Sequence, residues 1–224
     1  YRERVLLATK LPGWVVKDRA DMDRILAGQL ERLRTDRIDC YLLHGIGAES
    51  WKKLVEQGAL EFLDAAKADG RIRYAGFSYH DELEAFAPIV DGYPWDFCQI
   101  QYNFMDVNEQ AGMRGLHYAA EKGLAVIVME PLRGGKLAKS PPPAPVARLW
   151  AQAPIQRTPA DWALQWLWNQ PEVSLVLSGM STMTQVEENV VSAGRSGVGS
   201  LSAAERELLK RVQAKYTELN PIPC

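Results

Sequence analysis

Six apolar runs recur along the chain: VLLATK at 5–10, IDCYLLHG at 38–45, IRYAGFS at 72–78, DFCQIQY at 96–102, LAVIVM at 124–129 and VSLVLS at 173–178. Each is four to eight residues long and bounded by polar or turn-forming positions, which predicts strands. LAVIVM is apolar throughout and predicts a strand covered on both faces. The other runs are mixed.

Helical patterns fill most of the intervals. Met22, Ile25, Leu26, Leu30 and Leu33 fall on one helical face, with Asp18 placed to cap and Gly28 weakening the helix by about 1 kcal/mol relative to Ala. Residues 60–68 form a second helix, stopped by Gly70. Asn108 and Gly123 bracket a third, which contains Met113, Leu116 and Ala120. Thr158-Pro159-Ala160-Asp161 supplies a cap, a first-turn proline and a carboxylate for the helix carrying Trp162, Trp166 and Leu167. Ser202-Ala203-Ala204-Glu205 has capping-box spacing and opens the last helix. The proline-rich stretch at 140–145 is expected to be a stiff surface connector.

Strand-then-helix repetition predicts a parallel sheet with helical crossovers. An open doubly wound sheet and a (β/α)8 barrel both fit that pattern. No G-x-G-x-x-G follows a strand, which weighs against a dinucleotide-binding open sheet. Side chains capable of chemistry instead sit at several strand ends: Lys10, His44, Ser78, and Gln99 and Gln101 within their strand. That is the barrel habit. The expected fold is an α/β TIM barrel, incomplete, with about six of the eight βα units present. Lys10 and His44 close consecutive strands, and a helical crossover makes such strand ends neighbours.

Composition narrows the functional classes. Of 224 residues, 47% are hydrophobic and the formal net charge is −2, with Lys+Arg 26 and Asp+Glu 28. No basic stripe points to nucleic acid and no apolar run is long enough for a helical membrane span. Three cysteines, Cys40 and Cys98 in strands and Cys224 at the end, favour reduced thiols and a cytoplasmic setting. His80 beside Asp81 and His117 in a helix are expected to be structural, and neither has metal-ligand spacing with cysteine.

VLLATK, DCYLLHG, IRYAGFS, CQIQYN, the MEPLRGGKL loop and LSGMSTMTQVEEN, in that order, resemble the aldo-keto reductases over almost the whole chain. The subgroup most similar carries a ferredoxin-like [4Fe–4S] tail after the barrel. The ending Asn220-Pro221-Ile222-Pro223-Cys224 resembles the start of such a cysteine cluster. In the family's order VLLATK matches the third barrel strand. The resemblance therefore implies a fragment without the first two βα units, which bring the family's catalytic Tyr and Asp. Residues 1–224 are then expected to be one barrel domain, inactive in isolation.

The resemblance implies hydride transfer between NADP or NAD and a small aldehyde or ketone. It makes Lys10 and His44 catalytic: Lys10 lowers the pKa of the proton donor, and His44 orients the carbonyl oxygen. Ser78 and Gln99 match positions that bind the nicotinamide carboxamide, although Tyr79 replaces the usual Asn after that serine. Met129 takes the place of an aromatic under the nicotinamide. Glu130, Pro131, Leu132 and Gly134, in a loop with Arg133 and Lys136, are expected at the pyrophosphate. Gly179, Ser181, Gln185, Glu188 and Asn189 are expected at the adenosine end. Cations common in the family at the positions of Gly179 and Gln185 are missing, which leaves the choice between NADP and NAD open. Tyr41, Tyr74, Tyr79 and Tyr102 lie in or beside other strands and are not assigned as proton donor. No metal ligand set is expected in the chain as given. Two alternatives stand beside the reductase: an impaired nicotinamide-binding or redox-regulatory relative, and an aldolase using Lys10 as a Schiff-base nucleophile.

Overall fold

The computed structural model describes residues 2–219. Cys224 and the proline-containing ending therefore lie outside the described residues. The strands are β1 (Ala8–Leu11), β2 (Ile38–Ile46), β3 (Ile72–Tyr79), β4 (Phe97–Gln101), β5 (Ala125–Met129) and β6 (Val173–Val176). They are hydrogen-bonded in chain order. The β1–β2, β2–β3 and β3–β4 ladders are parallel, as βα alternation requires. The chain divides into two compact units. One runs to Gln101 and takes in Asn108–Ile127; the other comprises Tyr102–Val107 and the described residues from Val128.

The first unit contains α1 (Arg19–Leu33), α2 (Ala48–Glu56), α3 (Ala59–Ala68), α4 (Phe86–Asp91) and α5 (Gly112–Glu121). Register decides what its strands bury. Leu11, Leu43, Phe77 and Cys98 are mutual partners on successive strands, and all four are fully buried. Helices cover this face: Phe77 meets Phe86 of α4 at 6.0 Å, and Tyr41 meets Phe62 of α3 at 6.1 Å. Burying each such aromatic contributes about 1.5–3 kcal/mol. Lys10, Leu42, Gly76 and Phe97 are likewise mutual partners, one residue away along each strand and hence on the opposite face. Gly76 has no tolerance there, because a Cβ would lie 2.6 Å from the Phe97 ring.

The second unit contains α6 (Ala144–Trp150), α7 (Pro159–Trp168), α8 (Met183–Gly194) and α9 (Ala203–Leu219). Its core joins Phe104, Leu137, Val146, Trp162, Leu208 and Val212. Trp150 and Trp162 stack within it at 5.1 Å. Asp161, at the start of α7, ties the helices together by accepting from Ser192 Oγ at 2.5 Å and Arg195 Nη2 at 2.5 Å.

Several expectations need correction. β1 starts at Ala8 rather than Val5, because the Leu7 amide donates to the Asp39 carboxylate instead of a ladder carbonyl. Val5 and Leu6 are exposed. β1 also runs one residue past Lys10, and β2 two past His44. β5 is not covered on both faces: Val126 and Val128 are fully buried, but Ala125 is exposed and Ile127 and Met129 are half-buried. Leu33 and Met113 are exposed, although the other apolar positions expected on their helical faces are buried or half-buried. The helix expected between Asn108 and Gly123 begins only at Gly112. The proline-rich connector is shorter than expected, because α6 starts at Ala144. The caps at Asp18, Thr158 and Ser202 form as the sequence requires.

Candidate functional site

Lys10 and His44 lie on one face of the β1–β2 ladder. Lys10 is paired with Leu42, and His44 follows Leu42 by two residues, the period of a single face. The His44 imidazole is biased toward its neutral form. Burial lowers its pKa most, and the charges of Lys10 and His80 lower it further. Burial also lowers the pKa of Lys10, and no carboxylate partners this ammonium among the described residues.

A β-bulge aims this part of β2. Leu43 pairs with Phe77, and the next partners are Ile46 and Tyr79, so β2 holds one more residue than β3 over this interval. His44 and Gly45 together oppose Ser78. Gly45 takes φ +60°, a left-handed conformation suited to glycine. Its amide donates to Ser78 Oγ at 2.8 Å. Ser78 is fully buried and paired with Gln99, itself 6% exposed. Lys10, His44, Ser78 and Gln99 therefore share one sheet face in the first unit.

The same periodicity separates the tyrosines. Tyr41 and Tyr79 belong to the helix-covered face: Tyr41 donates to Gln29 Oε1 at 3.0 Å, and Tyr79 donates to the Glu82 carbonyl and packs on Phe86 at 4.9 Å. Burial pushes both phenols far above their usual range. Tyr79, beside Ser78 in sequence, thus points away from it. Tyr102 donates to Gln170 Oε1, and Tyr74 lies under the Arg73 guanidinium. His80 adds charge near His44, while Asp81 accepts from the amides of Ala48 and Glu82 and so opens α2.

One residue was not singled out from the sequence. Trp14 is 68% exposed, with its ring 5.1 Å from that of His44. An aromatic just beyond a strand that ends in a chemically capable residue was the available signal.

The second unit holds a cleft of about 680 Å³. Glu130, Pro131, Leu132, Gly134, Gly179, Gln185, Glu188 and Asn189, all singled out from the sequence, line it. Ser181 and Met129 are not among its lining residues, although Met129 precedes Glu130 and the Ser181 amide donates to Gln185 Oε1. Among the described residues, the amides of Gly135, Gly179 and Met180 carry no hydrogen bond, so they are available to an anion. The Gly134 amide is committed: it donates to Glu130 Oε2 at 2.7 Å. Gln185 is partly committed too, because its Oε1 accepts from the Ser181 amide at 2.8 Å and closes the capping box of α8. Asn189 Nδ2 donates to Ser178 Oγ at 3.1 Å. Arg133, expected to face an anion, is paired with Asp106 at 3.1 Å.

Among the described residues, no three His, Cys, Asp or Glu side chains are grouped to hold a metal ion, and no helix is long and apolar enough to cross a membrane. Cys98 is buried, and its thiol is pushed up to about 12 by burial.

A model of the aldo/keto reductase family matches residues 1–195. L-galactose dehydrogenase of Arabidopsis thaliana is 29% identical over 198 residues, 83% of this chain and 60% of that protein. An uncharacterised oxidoreductase of Schizosaccharomyces pombe is 29% identical over 170 residues, 74% of this chain and 50% of that protein. The chain thus spans little more than half of these curated relatives. Among solved structures, the holo form of aldo-keto reductase AKR11C1 from Bacillus halodurans superposes with a TM-score of 0.77 at 25% identity, over 94% of this chain and 73% of that one.

Proposed function

Because the chain belongs to the aldo/keto reductase family, we propose that the protein is a nicotinamide-dependent oxidoreductase acting on small aldehydes or ketones. The observation that carries this reading is the Lys10–His44 pair on one sheet face, with the imidazole held toward neutral.

Each unit has its own part. In the second, the cleft volume lies in the range of small-molecule sites, and the free amides of Gly135 and Gly179, two of its lining residues, suit a diphosphate. Glu188 and Asn189 are assigned to the adenosine end, with Gln185 and Ser181 fixing the start of α8. In the first, Ser78 already accepts from Gly45, which leaves its hydroxyl hydrogen to donate to a carboxamide, and Gln99 supplies a second amide contact. Met129 is assigned to pack against the nicotinamide ring as a polarisable thioether.

A bound reduced nicotinamide supplies the hydride. The protein's task is then the charge that develops on the carbonyl oxygen. A neutral His44 donates a hydrogen bond to that oxygen and orients it. The Lys10 ammonium stabilises the growing negative charge and lowers the pKa of a neighbouring proton donor. Trp14 gives the substrate an apolar wall beside His44. The four tyrosines weighed above are committed to other contacts or stand apart from this face, so none is assigned as the donor.

The test is carbonyl-dependent oxidation of NADH or NADPH by the full-length protein. Lys10→Met should abolish turnover while nucleotide binding persists; unchanged turnover removes the assignment of Lys10. A second reading, an impaired relative that binds nicotinamide nucleotides, is favoured by the second unit's cleft, whose lining contains neither Lys10 nor His44. Tight binding with no turnover across a panel of carbonyls would select it.

A further inference from the structure

The charge of the second unit's cleft bears on which dinucleotide it accepts. Two carboxylates, Glu130 and Glu188, line it, and no Lys, Arg or His does. The nearby cations are committed elsewhere. Arg133 pairs with Asp106 at 3.1 Å. Arg195 pairs with Asp161 at 2.5 Å. Arg157 pairs with Glu205 and lies 4.5 Å over the Trp162 ring. Releasing any of these guanidiniums to a ligand would strand a largely buried carboxylate, because Asp106, Asp161 and Glu205 are each under 9% exposed at the side chain. Lys136 and Lys139 belong to the bordering segment but not to the lining.

A 2′-phosphate adds about −1.5 to −2 charge at neutral pH, and a free 2′-hydroxyl adds none. The diphosphate shared by both nucleotides can be met by backbone amides. A further phosphate at the adenosine end would face the Glu188 carboxylate, and among the described residues no Lys, Arg or His lines the cleft to offset it. We propose that this cleft selects the dinucleotide lacking the 2′-phosphate, NAD(H) over NADP(H), with Glu188 as the discriminating residue. The inference rests on the reading of this cleft as a dinucleotide site.

The experiment is equilibrium binding of NADH and NADPH to the full-length protein, followed by calorimetry. Wild type should bind NADH at least about tenfold more tightly, equivalent to about 1.4 kcal/mol. Raising the salt concentration should narrow that ratio, since the repulsion is screened. Glu188→Gln should also narrow it. Gly179→Lys supplies the missing cation without a clash, because a Cβ at Gly179 meets nothing within 4 Å. It should tighten NADPH several-fold more than NADH. Equal or tighter binding of NADPH by wild type, or a ratio that neither salt nor the two variants move, overturns the proposal while leaving a dinucleotide site in place. Failure of both nucleotides to bind overturns the cleft assignment itself, and the selectivity with it.

Discussion

Lys10 and His44 lie on the same face of adjacent parallel strands, and the ammonium's charge adds to burial in holding the imidazole neutral. Removing that charge should raise the pKa of His44 toward its ordinary value of 6.5. An NMR titration of the three histidines in wild type and Lys10→Met checks this; an unmoved His44 midpoint would break the coupling. The sign for stability follows. The folded midpoint lies below the unfolded one, so the unfolded chain takes up a proton first. Stability is complete above about pH 6.5 and declines as pH falls toward the folded midpoint. Urea denaturation between these pH values should show that slope, and His44→Gln should reduce it.

The bulge at His44–Gly45 makes Gly45→Ala costly. A non-glycine residue in the left-handed region loses about 1–2 kcal/mol, and the shift also re-aims His44. Ser78→Ala should cost about 0.5–1.5 kcal/mol, the net worth of the hydrogen bond that the exposed Gly45 amide loses. Thermal melts of both variants, with turnover measured alongside, provide the check. For Gly45→Ala, turnover should fall even at temperatures where the protein remains folded.

Gly76→Ala drives a Cβ into the Phe97 ring and should destabilise by about 1–3 kcal/mol through overpacking. Phe97→Leu in the same chain should recover part of that loss. A double-mutant cycle by urea denaturation measures the coupling; strict additivity would contradict the contact.

Asp161 accepts from Ser192 and Arg195 and lies 3.9 Å from Arg157. Asp161→Ala should cost about 1–3 kcal/mol, because it strands the buried Ser192 hydroxyl, while the exposed Arg195 returns to solvent and Arg157 keeps Glu205. The neighbouring Glu205 is pushed up by burial but held net below the ordinary carboxylate range by Arg157 and Ser202. Its contribution is therefore present at neutral pH and lost as the medium is acidified through that depressed pKa. Urea midpoints at neutral and acid pH, for wild type and Glu205→Gln, test this; an equal acid loss in both would contradict it.

The alternation of elements and the identity of the strand-end residues were legible because they rest on local periodicity. Lys10, His44, Ser78 and Gln99 share a face as the period-two pattern implies, and eight of the nine residues assigned to the pyrophosphate and adenosine end line one cleft. Tertiary substitutions for local rules were not legible. Asp39 takes the Leu7 amide from a distance of 32 residues and shortens β1. Glu130 occupies the Gly134 amide that the loop sequence offered to an anion, and Asp106 takes Arg133. The bulge had one local signal, Gly45, which marks a permissive backbone without saying which strand gains the residue. Trp14 is exposed and belongs to no periodic apolar face, so hydrophobic patterning carries no signal for it.

The most direct test of carbonyl reduction at the Lys10–His44 face follows deuterium from nicotinamide labelled at C4 into product, using full-length wild type and Lys10→Met in parallel. Mass spectrometry should find the label on the former carbonyl carbon with wild type and no labelled product with the variant. Label transfer unchanged by Lys10→Met, or a carbonyl compound trapped by borohydride on Lys10, would contradict the account.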